Sequence, residues 1–227
     1  MLNSLEKLQG IIIVTGHFGS GKTNFAVNLA REELKLGRPV TLIDLDIVNP
    51  YFRAADNRSE LEALGARCIV PDFANTNVDI PTLPPEIYSA LEEYERGSDR
   101  ITIFDVGGDN GAAALGMYER FFAASGYTLL YAASKYRPLT EKPEDAAELL
   151  SEIEYYSRLK AGGIVNTSNL GEETTAEDVR ASLDWAEELC RICRLPLICT
   201  VAEERIASGL SDVEGIFPIR NATKRLY

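Results

Sequence analysis

The most specific chemistry in the sequence is carried by the run Gly16-His17-Phe18-Gly19-Ser20-Gly21-Lys22-Thr23. Every fixed position fits G-x-x-x-x-G-K-[ST], the phosphate loop or P-loop pattern. Glycines let the backbone curl until successive N–H groups converge on phosphate oxygens. The lysine sets a positive charge on the β- and γ-phosphates, and the threonine offers a hydroxyl to Mg2+. A second carboxylate-bearing station follows the apolar run Ile101-Thr102-Ile103-Phe104, where Asp105 precedes Gly107-Gly108. An aspartate held at a strand end reaches Mg2+, and a glycine pair permits close backbone approach to a γ-phosphate. An ordinary strand-exit aspartate is the other reading. A third station is Asp44-Leu45-Asp46, after Val40-Thr41-Leu42-Ile43. If the strand runs through both aspartates, alternation sends their side chains to one face. One can then hold metal waters and the other orient a nucleophile. The alternative makes Asp44 structural and Asp46 a turn cap.

These stations need a scaffold that brings distant segments to one edge. The β-branched run Ile11-Ile12-Ile13-Val14 before the loop reads as a buried strand. Behind the loop, Phe25, Val27, Leu29, Ala30 and Leu34 give an apolar helical pattern over 22–35 that ends at Gly37. Strand, glycine loop, helix is the context that phosphate binding requires, because the helix dipole favours an anion at its N-terminus.

Further strands are expected at 40–44, 67–71, 101–105, 127–133, 163–166 and 197–201, with one more short strand in the tail, 215–227. Helices are expected at 59–64, 85–96, 112–124, 143–159 and 175–194, the last with Ala176, Val179, Leu183, Ala186 and Leu189 inward. The alternation predicts an α/β fold: a doubly wound, mostly parallel sheet of seven or eight strands with helices on both faces, in one domain spanning 1–227. Ligands in such sheets bind at the C-terminal strand ends, where the P-loop, Asp46, Asp105 and Asn166 all fall.

The bulk properties narrow the setting. The chain has 227 residues and a net charge of −12, which argues against non-specific nucleic-acid binding. Four cysteines do not make a disulfide framework, so a reducing cytoplasm is expected. The first ten residues lack the apolar core of a signal peptide, and no run approaches the length of a membrane span.

Taken in order, GHFGSGKT, IDLDIVNP, IFDVGG and GIVNTSN resemble the deviant Walker A class of P-loop proteins. That class includes the nitrogenase iron protein, MinD, ParA and the CobQ/CobB enzymes. The chain looks most like the small bacterial CobQ/CobB/MinD/ParA nucleotide-binding domain proteins. The resemblance implies ATP or ADP with Mg2+ as ligands. It makes Lys22, Asp46 and Asp105 the catalytic set and Thr23, Asp46 and Asp105 the metal set, with Asp46 positioning the hydrolytic water. It assigns nucleotide contacts to Gly16, His17, Phe18, Gly19, Ser20, Gly21, Lys22, Thr23 and Asn24, and the adenine edge to Asn166. A polar residue that merely ends a strand is the alternative for Asn166. The chain departs from the family at His17, where the signature lysine stands, and at Phe18, where a glycine stands. The family's ATP-sandwich homodimer depends on that lysine. His17 is the only histidine, and it reads as a hydrogen-bond donor to phosphate or as a solvent-facing loop residue.

Cys190 and Cys193 form C-x-x-C within the expected last helix, as apolar packing residues or as ligands of a cluster or zinc. Three loops, 49–53, 73–81 and 137–140, leave strand ends on the nucleotide rim and suggest a second-substrate pocket using Arg53 and Arg137. The functional expectation is a Mg2+-dependent ATP-binding protein that hydrolyses ATP slowly and signals to a protein partner. An ATP-dependent small-molecule kinase or ligase of the CobB or dethiobiotin synthetase type is the second reading, and a non-catalytic nucleotide sensor the third. No guanine-type N-K-x-D follows the sixth strand, which reads on as Asn166-Thr167-Ser168-Asn169.

Overall fold

The computed structural model describes residues 5, 8–45, 57–70, 85–95, 99–108 and 110–222. Within them, β1 (Ile11–Gly16), β2 (Val40–Asp44), β3 (Arg67–Ile69), β4 (Ile101–Gly107), β5 (Thr128–Ala133), β6 (Ala161–Asn166), β7 (Leu197–Glu203) and β8 (Ile216–Ile219) form one sheet. Its order is β3-β2-β4-β1-β5-β6-β7-β8, and every pairing is parallel. The tail strand therefore extends the sheet as β8. The helices are α1 (Lys22–Lys35), α2 (Arg58–Ala63), α3 (Pro85–Glu95), α4 (Asn110–Leu115), α5 (Glu119–Ser125), α6 (Pro143–Ser157), α7 (Ala176–Ala181), α8 (Leu183–Cys193) and α9 (Glu204–Ala207).

Central β1 is buried throughout because it is paired on both edges and covered on both faces. Ile12 and Val14 point to a cluster with Phe25 and Leu29 of α1 and Leu61 of α2. Ile11 and Ile13 point the other way, to Ile87 and Leu91 of α3 and Phe122 of α5. A third cluster joins Tyr131 and Ile164 to Leu150 and Ile153 of α6 and Trp185 and Leu189 of α8. Helices thus cover both faces, as the β-branched runs predict for a parallel sheet. Phe25 meets Phe217 of β8 edge-on, with ring centroids 5.5 Å apart. That contact ties the P-loop helix to the edge strand, and each such ring buried contributes roughly 1.5–3 kcal/mol.

Two expected helices are interrupted. The helix over 112–124 is α4, a 3-10 turn (Gly116–Tyr118) and α5. A Cβ on Gly116 would lie 3.1 Å from the Tyr156 carbonyl oxygen, so the turn bends where α6 presses on it. The same turn buries Tyr118 against Tyr88, with ring centroids 5.2 Å apart. The helix over 175–194 breaks at Ser182 between α7 and α8. The Ser182 hydroxyl donates to the Val179 carbonyl at 2.7 Å, the back-bonding that bends helices. Helix α7 opens on a capping box, with Thr175 as N-cap and Asp178 reaching back. Among the described residues no helix is long and apolar enough to cross a membrane.

Candidate functional site

Strand β1 delivers its last residue, Gly16, into a space that excludes any side chain. A Cβ there would lie 2.2 Å from the Ala132 carbonyl oxygen on β5 and 2.7 Å from Ser20 Oγ. The loop then closes on itself, with the Ser20 N–H donating to the His17 carbonyl at 3.0 Å. Gly19 and Gly21 hold φ values of 73° and 93°, the left-handed region that glycine enters without strain. Gly21 is the N-cap of α1 and brings no side chain to the first-turn N–H groups. Fourteen residues of helix stand behind that end, so its dipole favours an anion there. Lys22 and Thr23 are buried in the first turn, at 4% and 5% exposure.

Two buried polar atoms in the loop lack a hydrogen-bond partner, Ser20 Oγ and His17 Nδ1. Burying such atoms unpaired costs about 1–3 kcal/mol each, a cost that a bound anion or water removes. His17 is half-buried, whereas Phe18 turns outward at 56% exposure.

Asp105 lies on β4 in register with Val14 of β1 and Asp44 of β2. Ile103 and Leu42 face α1, so alternation turns Asp105 and Asp44 to the same side. Both carboxylates therefore stand on adjacent strands on the face from which α1 starts, with Asp105 fully buried. Strand β2 ends at Asp44, and the Leu45 N–H donates to the Asp105 carbonyl at 2.8 Å. Asp46 lies outside the described residues, as do Asp109 and the loops 49–53 and 73–81.

Beyond Asp105, Gly107 pairs with Gly16, and Gly108 lies against the loop. A Cβ on Gly108 would be 2.8 Å from the Gly16 carbonyl oxygen and 3.2 Å from the His17 nitrogen. Gly108 is thus required for close approach of the two segments. A cavity of about 340 Å3 opens on this junction. His17 and Gly108 form one side, with Leu149, Glu152, Ile153 and Tyr156 of α6 on another.

Several expected residues point elsewhere. Asn24 accepts a hydrogen bond from the Ala222 N–H at 2.8 Å, so its amide is committed to the C-terminal segment. Asn166 ends β6 as expected but is fully buried. Its Nδ2 donates to Ser182 Oγ at 2.9 Å, and its Oδ1 accepts from the Ser168 N–H at 3.1 Å. The adenine edge expected to meet this amide would find it already engaged in the fold. Arg137, expected to reach a second substrate, directs its guanidinium at carbonyl oxygens of Gly19, Tyr136 and Asn169. Burial lowers its pKa.

The four cysteines are free. Cys190 and Cys193 sit in the last turn of α8, packed partly into the third apolar cluster. Burial pushes the Cys190 thiol up to about 11 and raises that of Cys193. Both shifts oppose the thiolate a metal needs. Among the described residues no group of three or more His, Cys, Asp or Glu could hold a metal ion.

Two further side chains shape the site without any local sequence signal: Ser182 at Asn166, and Asn28 of α1 at Arg220. Each acts on a partner far along the chain, and no short pattern encodes such a pair.

No protein-family model and no curated protein matches the chain. Solved structures do match its fold. One is the signal recognition particle 54 kDa protein from Aeropyrum pernix in complex with GDP, at 21% identity and a TM-score of 0.53, covering 86% of this chain and 41% of that one. Another is the cell division protein FtsY from Thermotoga maritima, at 18% identity and a TM-score of 0.54, covering 86% and 66%. A third is FtsY from Mycoplasma mycoides, at 16% identity and a TM-score of 0.52, covering 85% and 59%. The chain thus spans between two fifths and two thirds of the length of these neighbours. The likeness, with the single eight-stranded parallel sheet, shows a P-loop NTPase fold.

Proposed function

We propose that this protein binds ATP with Mg2+ and hydrolyses it slowly, as a member of the deviant Walker A group that signals its nucleotide state to a partner. The observation that carries the reading is the loop between β1 and α1. It combines an N-cap without a side chain, two left-handed glycines and two buried polar atoms without partners. Phosphate oxygens supply the acceptors that such an arrangement requires.

The donor set suits a hard cation. Thr23 and Asp105 would hold Mg2+, with Asp46 on the segment after β2 as a further oxygen ligand. When bound, the ion neutralises charge on the phosphoryl group. The chain's own residues do the rest. The loop amides and Lys22 stabilise charge on the transferred phosphoryl oxygens, and Asp46 orients the attacking water. Gly107 and Gly108 connect Asp105 to the loop, so the segment from Asp105 to Gly108 is the element that reports nucleotide state. GDP in the Aeropyrum structure belongs to that protein. Here ATP and GTP are to be titrated side by side with Mg2+. Micromolar ATP binding with slow phosphate release supports the proposal. Binding without release over hours favours the sensor reading, and no binding of either nucleotide refutes both.

The cavity beside His17 and Gly108 favours a second reading, a small-molecule kinase or ligase. Its volume of about 340 Å3 suits a small organic acceptor, and its α6 wall combines apolar Leu149 and Ile153 with the Glu152 carboxylate. Release of ADP stimulated by amine-bearing metabolites would support this reading. A screen without stimulation would count against it.

A further inference from the structure

Arg137 sits in the loop between β5 and α6, 118 positions along the chain from Gly19. Its Nε donates to the Gly19 carbonyl at 2.6 Å. One terminal nitrogen donates to the Tyr136 carbonyl at 2.9 Å and the Asn169 carbonyl at 3.0 Å. The other donates to Asn169 Oδ1 at 3.3 Å. The planar fork therefore joins the P-loop to the segment that follows β6. A second contact repeats the join, because a Cβ on Gly21 would lie 3.4 Å from Thr167 Cβ and 3.6 Å from Asn169 Nδ2.

The base of this fork is itself held. The Lys135 N–H donates to Ser168 Oγ at 2.9 Å, and Tyr136 OH donates to the Asp178 carbonyl at 2.7 Å. Thr140 Oγ1 donates to the Ser134 carbonyl at 2.5 Å and closes the loop behind Arg137. Among the described residues no carboxylate pairs with this guanidinium, in a chain whose net charge is −12. Its positive charge therefore stands beside the cradle with no carboxylate partner among the described residues.

We infer that Arg137 is a positioning residue for nucleotide binding. By holding the Gly19 carbonyl on its own side, it keeps that peptide from rotating its oxygen into the cradle, where it would repel phosphate. Its charge adds to the positive field of Lys22 and the α1 terminus without touching the ligand. Through Asn169 it also locks the phosphate loop to the loop after β6, so both present one rigid surface. Lysine at this position retains the charge but lacks the fork that holds two segments together.

The inference rests on the nucleotide-cradle reading, and the test separates the two. ADP affinity is measured by calorimetry for wild type, Lys22→Ala, Arg137→Ala and Arg137→Lys, alongside urea unfolding without nucleotide. We expect Arg137→Ala to weaken ADP binding by at least about tenfold, the scale of one charge-assisted hydrogen-bond network. Arg137→Lys should fall between Arg137→Ala and wild type. A purely structural arginine would shift the urea midpoint and leave the affinity of the folded protein within about twofold of wild type, which would overturn the inference. If Arg137→Ala does not fold, Arg137→Lys decides. A several-fold loss of affinity at an unchanged midpoint supports the inference, and wild-type affinity overturns it. Absence of ADP binding by wild type, or equal binding by Lys22→Ala, refutes the cradle reading and this inference with it. Binding lost in Lys22→Ala but kept in both Arg137 variants refutes the inference alone.

Discussion

Asn28 grips the backbone of Arg220 with both ends of one amide. Its Nδ2 donates to the Arg220 carbonyl at 2.8 Å, and its Oδ1 accepts from the Arg220 N–H at 3.0 Å. The pairing imitates a strand partner and extends the edge of β8 onto the side of α1. Asn24 and Asn57 continue it on Ala222, one accepting from its N–H and the other donating to its carbonyl, each at 2.8 Å. The segment 220–222 is thereby fixed to the helix that begins at the P-loop lysine.

Replacing Asn28 by alanine leaves two backbone groups of Arg220 without these partners in a partly buried site. The expected loss is roughly 1–3 kcal/mol of stability. Urea unfolding should show a lower midpoint with an unchanged slope, while ATP still binds at one site per chain. A midpoint equal to that of wild type would mean that water replaces the amide without cost.

Gly108→Ala places a methyl 2.8 Å from the Gly16 carbonyl oxygen, and backbone, not a flexible side chain, must yield. Overpacking of this kind costs about 1–3 kcal/mol. The strain falls on the P-loop itself, so ATP affinity should drop along with stability. Calorimetry on the folded variant checks this, and unaltered affinity would show that the loop relaxes freely.

Asp105→Asn keeps the size of the side chain and removes its charge. ATP hydrolysis should fall by about 100-fold or more, and the Mg2+-strengthened ATP binding expected of wild type should be lost. Phosphate release and a Mg2+ titration at fixed ATP measure both effects. An undiminished Mg2+ response would remove Asp105 from the metal site.

The Thr175 hydroxyl and backbone N–H bond Asp178 and hold its pKa below the ordinary 3.8. A depressed carboxylate stabilises the fold fully above its unfolded value and stops doing so as pH falls through the folded one. The difference in urea midpoint between wild type and Asp178→Asn should therefore be constant above the ordinary carboxylate range and shrink below it. A difference that stays constant down to the acid limit would contradict the capping account.

Much of this architecture is legible in the sequence because it is local. Helix α1 and strand β2 occupy 22–35 and 40–44 as the apolar periodicity and Gly37 predict. The P-loop is legible for the same reason, since its glycines, lysine and threonine act within eight consecutive residues. The helix breaks are not local. Gly116 bends under the carbonyl of Tyr156, and Ser182 is met by Asn166 from β6. The placement of Asn166 at a strand end follows from the pattern, but the inward turn of its amide depends on Ser182. Arg137 looks from sequence like a substrate cation, and only the folded chain shows carbonyl oxygens around it.

Nucleotide binding through Lys22 at the loop between β1 and α1 underlies every other role proposed for the site. Calorimetric titration of ATP with Mg2+ into wild type and Lys22→Ala tests it most directly. One site is expected in wild type and at least about 100-fold weaker binding in the variant, whose unfolding free energy in urea stays within about 1 kcal/mol of wild type. Equal affinity in the two proteins, or no heat of binding in wild type, would contradict it.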